Sequence, residues 1–325
     1  MLQRMCWLFP DRESTRTSAK WNAAFWHTYE EVAKEVGLTW ERVAPEAVTV
    51  DALDPRRPKV YVDGERVTPE ETLFVTAPYT LPYQAADAFN QFTLYAVLEH
   101  AGFYLPHPPS MAAIGNDKLA TILFLKDSPI PPIPTVRITS GRDLLFDEYA
   151  STIENLPYPA IAKPAGWAAS RGINLARDSH DVRGLLSLAQ GGDTTLVFQP
   201  YLGKRTVDYR VHMVDGKPHT TLVRAPGDGA LYPQYTTGAK LHYTPLPPEL
   251  AEAAAYFAEK LPIPYFCVDF LHDGERFWLS EVEPDGAIIC PDPTSPEVVQ
   301  TQRELIKARF LAYRKAHTRL HGSAE

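Results

Sequence analysis

The sequence predicts an α/β chain with α+β elements, divided into two or three lobes. Short apolar runs of strand length alternate with stretches of helical periodicity. Asp63-Gly64, Asp215-Gly216 and Asp273-Gly274 each separate two such runs, as hairpin turns do. A chain of 325 residues also exceeds what one small core accommodates.

Taken in order, residues 5–9 read as a first buried strand and 22–36 as a helix stopped by Gly37. A hairpin follows at 59–67, a strand at 73–77 and a helix at 84–101, ended by Gly102. Breakers and turn formers at 104–110 mark a boundary, which makes 1–110 the first lobe. A short helix at 116–126 has Asn116 as its expected N-cap. Strand 160–163, a small-residue loop at 164–172, strand 173–176, helix 181–189 and strand 195–199 make a central lobe of 111–198. The last lobe, 199–325, holds hairpins at 207–225 and 265–283, a helix at 248–261 between them, and a final helix from 296 to about 316.

Composition narrows the function. A formal net charge of −8 argues against nucleic acid as a partner. The apolar start is interrupted at Pro10, too early for a membrane span or a signal core. Cys6, Cys267 and Cys290 are odd in number and widely spaced, which fits a reducing cytoplasm better than a disulfide or zinc framework.

Chemistry collects in an ordered set of residues. Lys118 opens a helix, and Lys163 ends a strand just before Pro164-Ala-Gly-Trp-Ala-Ala-Ser-Arg-Gly172. Small residues there let backbone amides approach an anion, to which lysine adds a compact positive charge. Gln199-Pro-Tyr-Leu202 follows, then Asp208-Tyr-Arg210 on a strand, with Arg224 beyond. Asp269 lies inside the apolar run Cys267-Val-Asp-Phe-Leu271, and Glu281 and Glu283 lie in Leu279-Ser-Glu-Val-Glu-Pro284. Acids among such neighbours are costly to bury unpaired, and a hard divalent cation would compensate several at once.

From 116 to 285 this order resembles the ATP-grasp superfamily, of the carboxylate–amine ligase type seen in ribosomal-protein glutamate ligases, glutathione synthetases and D-alanine–D-alanine ligases. The resemblance implies an N-terminal α/β lobe plus two lobes that grip ATP. Lys118 and Lys163 match the phosphate-binding lysines, and Ser170, Arg171 and Gly172 belong to the phosphate-covering loop. Gln199, Tyr201 and Leu202 match the adenine hinge, and Asp208 a ribose-binding acid. Asp269, Glu281 and Glu283 match the positions that hold Mg²⁺, with Mn²⁺ as an alternative. Arg210 and Arg224 match arginines that hold the transferring phosphate. Implied partners are a small carboxylate and an amine, an amino acid or short peptide, and the chain could form a homodimer. Two departures stand out: Glu283 replaces an asparagine, and 284–289 lacks the proline-glycine ending, which implies a different acceptor pocket.

Strand parity bears on the metal set. A three-residue loop at 272–274, with Gly274 left-handed, pairs Leu271 with Glu275 and puts Asp269, Glu281 and Glu283 on one face. A two-residue Asp-Gly turn would separate Asp269 from the glutamates. The same three-residue form at 214–216 puts Asp208, Arg210 and Arg224 on one face.

Plainer readings exist for single residues. Lys118 alone reads as a solvated helix residue, Gln199 as a strand end, and Asp208 with Arg210 as a surface ion pair. His317 and His321, four apart beside Lys315 and Arg319, read as a solvated face rather than a metal site. Trp167 either shields the reaction from water or packs. Besides the ligase, a kinase of the same superfamily, with a hydroxyl as acceptor, and a nucleotide-binding module without turnover share the pattern.

Overall fold

The computed structural model describes residues 1–9, 19–76, 85–139, 150–167, 170–192, 194–228, 230, 233 and 238–322. Ala77, Gln84, Ala168, Ala169 and, in the 225–240 connection, residues 229, 231, 232 and 234–237 lie outside these residues.

The first lobe runs β1 (Arg4–Leu8), α1 (Ala19–Glu35), β2 (Thr39–Val43), β3 (Val48–Asp51), β4 (Lys59–Val62), β5 (Glu65–Val67), β6 (Thr72–Thr76) and α2 (Ala85–His100). Strand β1 sits between β2 and β6, parallel to both. A central parallel strand is covered on both faces, so after Arg4 the residues of β1, Met5 to Leu8, are apolar without interruption. Met5 and Trp7 enter one core with Val32, Leu73 and Val75. Cys6 and Leu8 enter another with Val60, Phe74, Tyr95 and Leu98, under the small sheet β3-β4-β5.

Two short helices lead out, α3 (Pro109–Asn116) and α4 (Lys118–Phe124). The proline-rich boundary starts α3: Pro109 occupies the first helical position, where a missing N–H costs nothing. The cap of α4 is Asp117, not Asn116. Its Oδ1 accepts from the amides of Leu119 at 3.0 Å and Ala120 at 3.1 Å, and its other oxygen accepts from Arg137 at 3.0 Å.

The central lobe runs β7 (Val136–Ile138), α5 (Ala150–Glu154), β8 (Ala160–Pro164), β9 (Asn174–Ala176), α6 (Ser179–Gly191) and β10 (Leu196–Pro200). Its antiparallel sheet has the order β7-β10-β8-β9, and α5 and α6 cover it with Ile153, Val182 and Leu186.

The last lobe runs β11 (Val207–Val214), β12 (Lys217–Ala225), β13 (Lys240–Thr244), α7 (Ala251–Lys260), β14 (Tyr265–His272), β15 (Phe277–Glu283) and α8 (Pro296–His321). The antiparallel sheet β13-β12-β11-β14-β15 turns Val211, Met213, Phe266, Val268, Phe270, Leu279 and Val282 toward α7. The alternate residues form the opposite face. Helix α8 returns to the first lobe, where Leu305, Ile306, Phe310 and Tyr313 join the core of Trp7 and Tyr29. His317 is buried there and bonds the Pro69 carbonyl at 2.8 Å, so it does not belong to a solvated face. Among the described residues, no helix is long and apolar enough to cross a membrane.

Both functional hairpins reach the expected parity by a different route. The first closes with a two-residue turn: Val214 pairs with Lys217, and Asp215 and Gly216 have φ of 49° and 74°. That turn alone would give the wrong face. A bulge between His212 and Met213 leaves His219 as the extra residue and restores Asp208 opposite Arg224. In the second, His272 pairs with Phe277 across a four-residue loop, not Leu271 with Glu275. A bulge at Ser280 then brings Glu281 opposite Asp269 and Glu283 opposite Cys267.

Candidate active site

One face of the last sheet carries the charge. Arg210 on β11 is the direct partner of Asp269 on β14, Asp269 the partner of Glu281 on β15, and Asp208 the partner of Arg224 on β12. Carboxylate oxygens of Asp269, Glu281 and Glu283 all lie within 4.8 Å of one another. Hard oxygen donors so arranged fit a magnesium ion, which takes few protein carboxylates and completes its shell with water and phosphate.

Arginines neutralise this face. Arg210, 4% exposed, donates Nε to Asp269 Oδ1 at 2.8 Å and Nη2 to Oδ2 at 2.7 Å, and its Nη2 lies 2.6 Å from Glu283. Arg224 donates Nη2 to Asp208 at 2.8 Å and to Asp269 at 2.7 Å. Asp208, half-buried, and Arg210, buried, therefore do not pair with each other. Burial opposes the charge of Asp269, yet Arg210 and Arg224 outweigh it and hold the carboxyl well below the usual carboxylate range. Asp208 receives less. Burial pushes it up to about 6 against the pull of Arg224, and its Oδ1 is buried without a hydrogen bond.

This has a consequence for stability. An acid with a raised folded-state value binds protons more tightly in the native state, so stability falls as pH rises from about 3.8 toward 6. In metal- and nucleotide-free protein, the difference between wild type and Asp208→Asn should tilt against wild type across that window and level off above it. Urea titrations at half-unit pH steps check this; a flat difference would place Asp208 at an ordinary acid value.

The lysines come from the other side. Lys118, at the start of α4, lies 3.6 Å from Glu281 and donates to the carbonyls of Pro164 at 3.3 Å and Trp167 at 3.0 Å. With 13% of its side chain exposed, it is not a solvated helix residue. It ties down the loop after β8. Beyond Trp167, Ser170 and Gly172 adopt positive φ, and Gly172 crosses so close to Pro164 that a Cβ would sit 2.6 Å from its ring. Trp167 packs there as well, 3.1 Å from the same point. Lys163 on β8 makes no ion pair among the described residues, and burial pushes its ammonium down against the pull of Glu281. Such a cation is poised for an anion.

Gln199 is the penultimate residue of β10, 1% exposed. Its Nε2 donates to Thr135 at 3.0 Å, and its Oε1 is buried without a partner. Tyr201 and Leu202 follow half-buried in the link to the last lobe, where the Tyr201 amide donates to the Pro159 carbonyl at 2.9 Å. Lys118, Asp208, Arg210, Arg224, Asp269, Glu281 and Glu283 thus meet in one cluster. Gln199, Tyr201 and Leu202 sit at the link between the lobes, and Ser170, Arg171 and Gly172 stay on the loop.

Sequence reasoning missed Arg309. It is fully buried on α8, in contact with Asp285 just past the acids. A signal was present: Arg309 and Tyr313 fall in the same stripe as Leu305, Ile306 and Phe310, where an arginine needs a buried partner.

No family model matches the sequence. Among curated proteins, an uncharacterized protein of Mycoplasma pneumoniae is 22% identical over 202 residues, 60% of this chain and 66% of that one. D-alanine–D-alanine ligase of Streptococcus thermophilus is 26% identical over 97 residues, 30% of this chain and 28% of that one. The chain thus spans less than two thirds of these relatives' lengths. Solved structures match more fully. D-alanine–D-alanine ligase from Bacillus anthracis in complex with ATP superimposes with a TM-score of 0.64 at 14% identity, over 98% of this chain and 99% of that one. The D-cycloserine synthetase DcsG gives 0.60 at 16% identity, over 93% and 99%. An ATP-grasp ligase from Chryseobacterium gregarium, in complex with ADP and a leader and core peptide, gives 0.62 at 12% identity over 97% of each chain. Identity this low carries the fold, and the fold extends over nearly the whole of both chains in each case: this protein is built on the ATP-grasp fold.

Proposed function

We propose that this chain is an ATP-dependent ligase that joins a carboxylate to an amine through an acyl phosphate, on amino acids or small peptides. The observation that carries this reading is the meeting of three carboxylates within 4.8 Å with a lysine 3.6 Å from Glu281. Lys118 and Lys163 hold phosphate oxygens, Gln199, Tyr201 and Leu202 seat the adenine, and Asp208 takes the ribose. Asp269, Glu281 and Glu283 would hold Mg²⁺, or Mn²⁺ in its stead. When bound, the metal supplies neutralisation of the β- and γ-phosphates. Arg224, with Arg210 beside it, stabilises charge on the transferring group. The substrate carboxylate attacks the γ-phosphorus and ADP leaves. The amine then attacks the acyl carbon and phosphate leaves. The protein's own part is orientation and fixed charge, and no side chain forms a covalent bond. The solved ligases of this fold support the reading by their names, which include a D-alanine–D-alanine ligase and a peptide-bound ligase.

The test is a screen of amino acids and dipeptides with MgATP, reading free phosphate and ADP. The expected result is phosphate release that depends on both an acid and an amine. ADP without free phosphate would assign a kinase, and no ADP with any pair would assign a module that binds without turnover.

A further inference from the structure

The acids of β15 are followed by a segment, 284–289, with no regular structure of its own. Irregular backbone beside a charged site has to be held by side chains. Here the chain's own elements hold four of its six residues. Asp285 accepts from Trp7 Nε1 at 3.1 Å and pairs with Arg309. The Gly286 carbonyl accepts from Tyr265 at 2.7 Å and lies 3.5 Å from Arg309 Nη1. Gln302 donates to the Ile288 carbonyl at 3.1 Å, and Tyr243 to that of Ile289 at 2.6 Å. Gly286 is pressed onto the sheet, where a Cβ would meet Cys267 Sγ at 2.3 Å.

Arg309 is the centre of this arrangement. Its guanidinium lies 3.9 Å from the Tyr265 ring, 4.5 Å from the Trp7 ring and 5.4 Å from the Tyr313 ring, and its Nε donates to Tyr313 at 2.7 Å. Trp7 belongs to β1 of the first lobe, Tyr265 to β14 of the last, and Asp285 stands two residues past Glu283. One buried cation thus joins the first lobe, the strand that carries Asp269 and the exit of the strand that carries Glu281 and Glu283.

We propose that Arg309 is a positioning residue for the acid cluster: from α8 it fixes 284–289, and through it the setting of Glu283 and Glu281 relative to Asp269 and to the first lobe. This deepens the ligase reading and rests on it. A plain structural role would need only that Arg309 fill space and satisfy Asp285. A positioning role also requires that the metal-binding geometry depend on it. A displacement of about 1 Å at such a site costs on the order of 10²-fold in rate, whereas Lys163 on β8 and Gln199 on β10 belong to a different sheet from the acids.

The experiment measures calorimetric binding of ADP, with and without Mn²⁺, to wild type and to three variants. Arg309→Met combined with Asp285→Asn removes both charges, so neither is stranded. Trp7→Phe removes only the indole donor to Asp285, and Arg309→Lys keeps the charge but not the fork. The expected result is that the Mn²⁺ concentration for half-maximal enhancement of ADP binding rises about tenfold or more in the double variant. It rises less in the other two, while metal-free ADP affinity stays at the wild-type value. If the double variant fails to fold, Trp7→Phe and Arg309→Lys carry the comparison. Unchanged Mn²⁺ dependence in the folded variants would overturn the positioning role and leave the nucleotide site standing. Wild type that binds ADP with no response to Mn²⁺ would overturn both.

Discussion

Glu281→Gln should lower turnover by about 10²–10³-fold while the melting temperature of the ligand-free protein holds or rises. Both halves follow from the surroundings of Glu281. Its carboxylate stands directly across the strands from Asp269 and within 4.8 Å of Glu283, and its cation is Lys118 at 3.6 Å. An amide keeps the shape and one oxygen, but it is a poorer ligand for a hard cation and cannot balance Lys118. Without metal, loss of the charge relieves repulsion between neighbouring acids. Steady-state phosphate release, with the acid and amine found by screening, is compared with melting curves of the apo proteins. Turnover near that of wild type would remove Glu281 from the metal set. A collapse of the melting temperature would make it a structural partner of Lys118.

Arg210→Ala should do the reverse and damage the fold first. Arg210 is bidentate to Asp269 and bonded to Glu283, with 4% of its side chain exposed. Its removal leaves two acids facing each other with only Arg224 to share. Breaking a buried pair from one side costs about 3–5 kcal/mol, here on the order of a 5–10 °C fall in melting temperature. Arg210→Met with Asp269→Asn should recover much of that loss, because the stranded charge goes with its partner. Melting the single and double variants side by side checks this. An equal loss in both would show that packing, not charge, dominates at this position.

The chemistry of the site could be read from the sequence more readily than its geometry. Acids inside apolar strands announce themselves, because Asp269 among Val268 and Phe270 has no inexpensive explanation. The face they share was foreseen, yet by loops that the chain does not form. Asp215-Gly216 makes a two-residue turn, and the second hairpin closes through four residues. Bulges at His219 and Ser280 then correct the parity. A bulge has no residue signature of its own here, since neither position is a glycine. Local hydrogen bonds decided other details: Asp117 rather than Asn116 caps α4 because its carboxylate reaches two amides and Arg137 at once. The buried environment of Arg309 depends on Trp7, more than three hundred residues away, and no local pattern reports such a contact.

The return of α8 to the first lobe also bears on how the chain is made. The face of β1 that holds Met5 and Trp7, with Tyr29 and Val32 of α1, is closed by Leu305, Ile306, Phe310 and Tyr313. On a ribosome that adds about 5–20 residues per second, the opening strand waits roughly 15–60 s for that helix. During this interval a cluster of tryptophan and tyrosine stands uncovered, a surface suited to a chaperone. The first lobe can gather its strands early, but it acquires its finished core only when the last helix emerges.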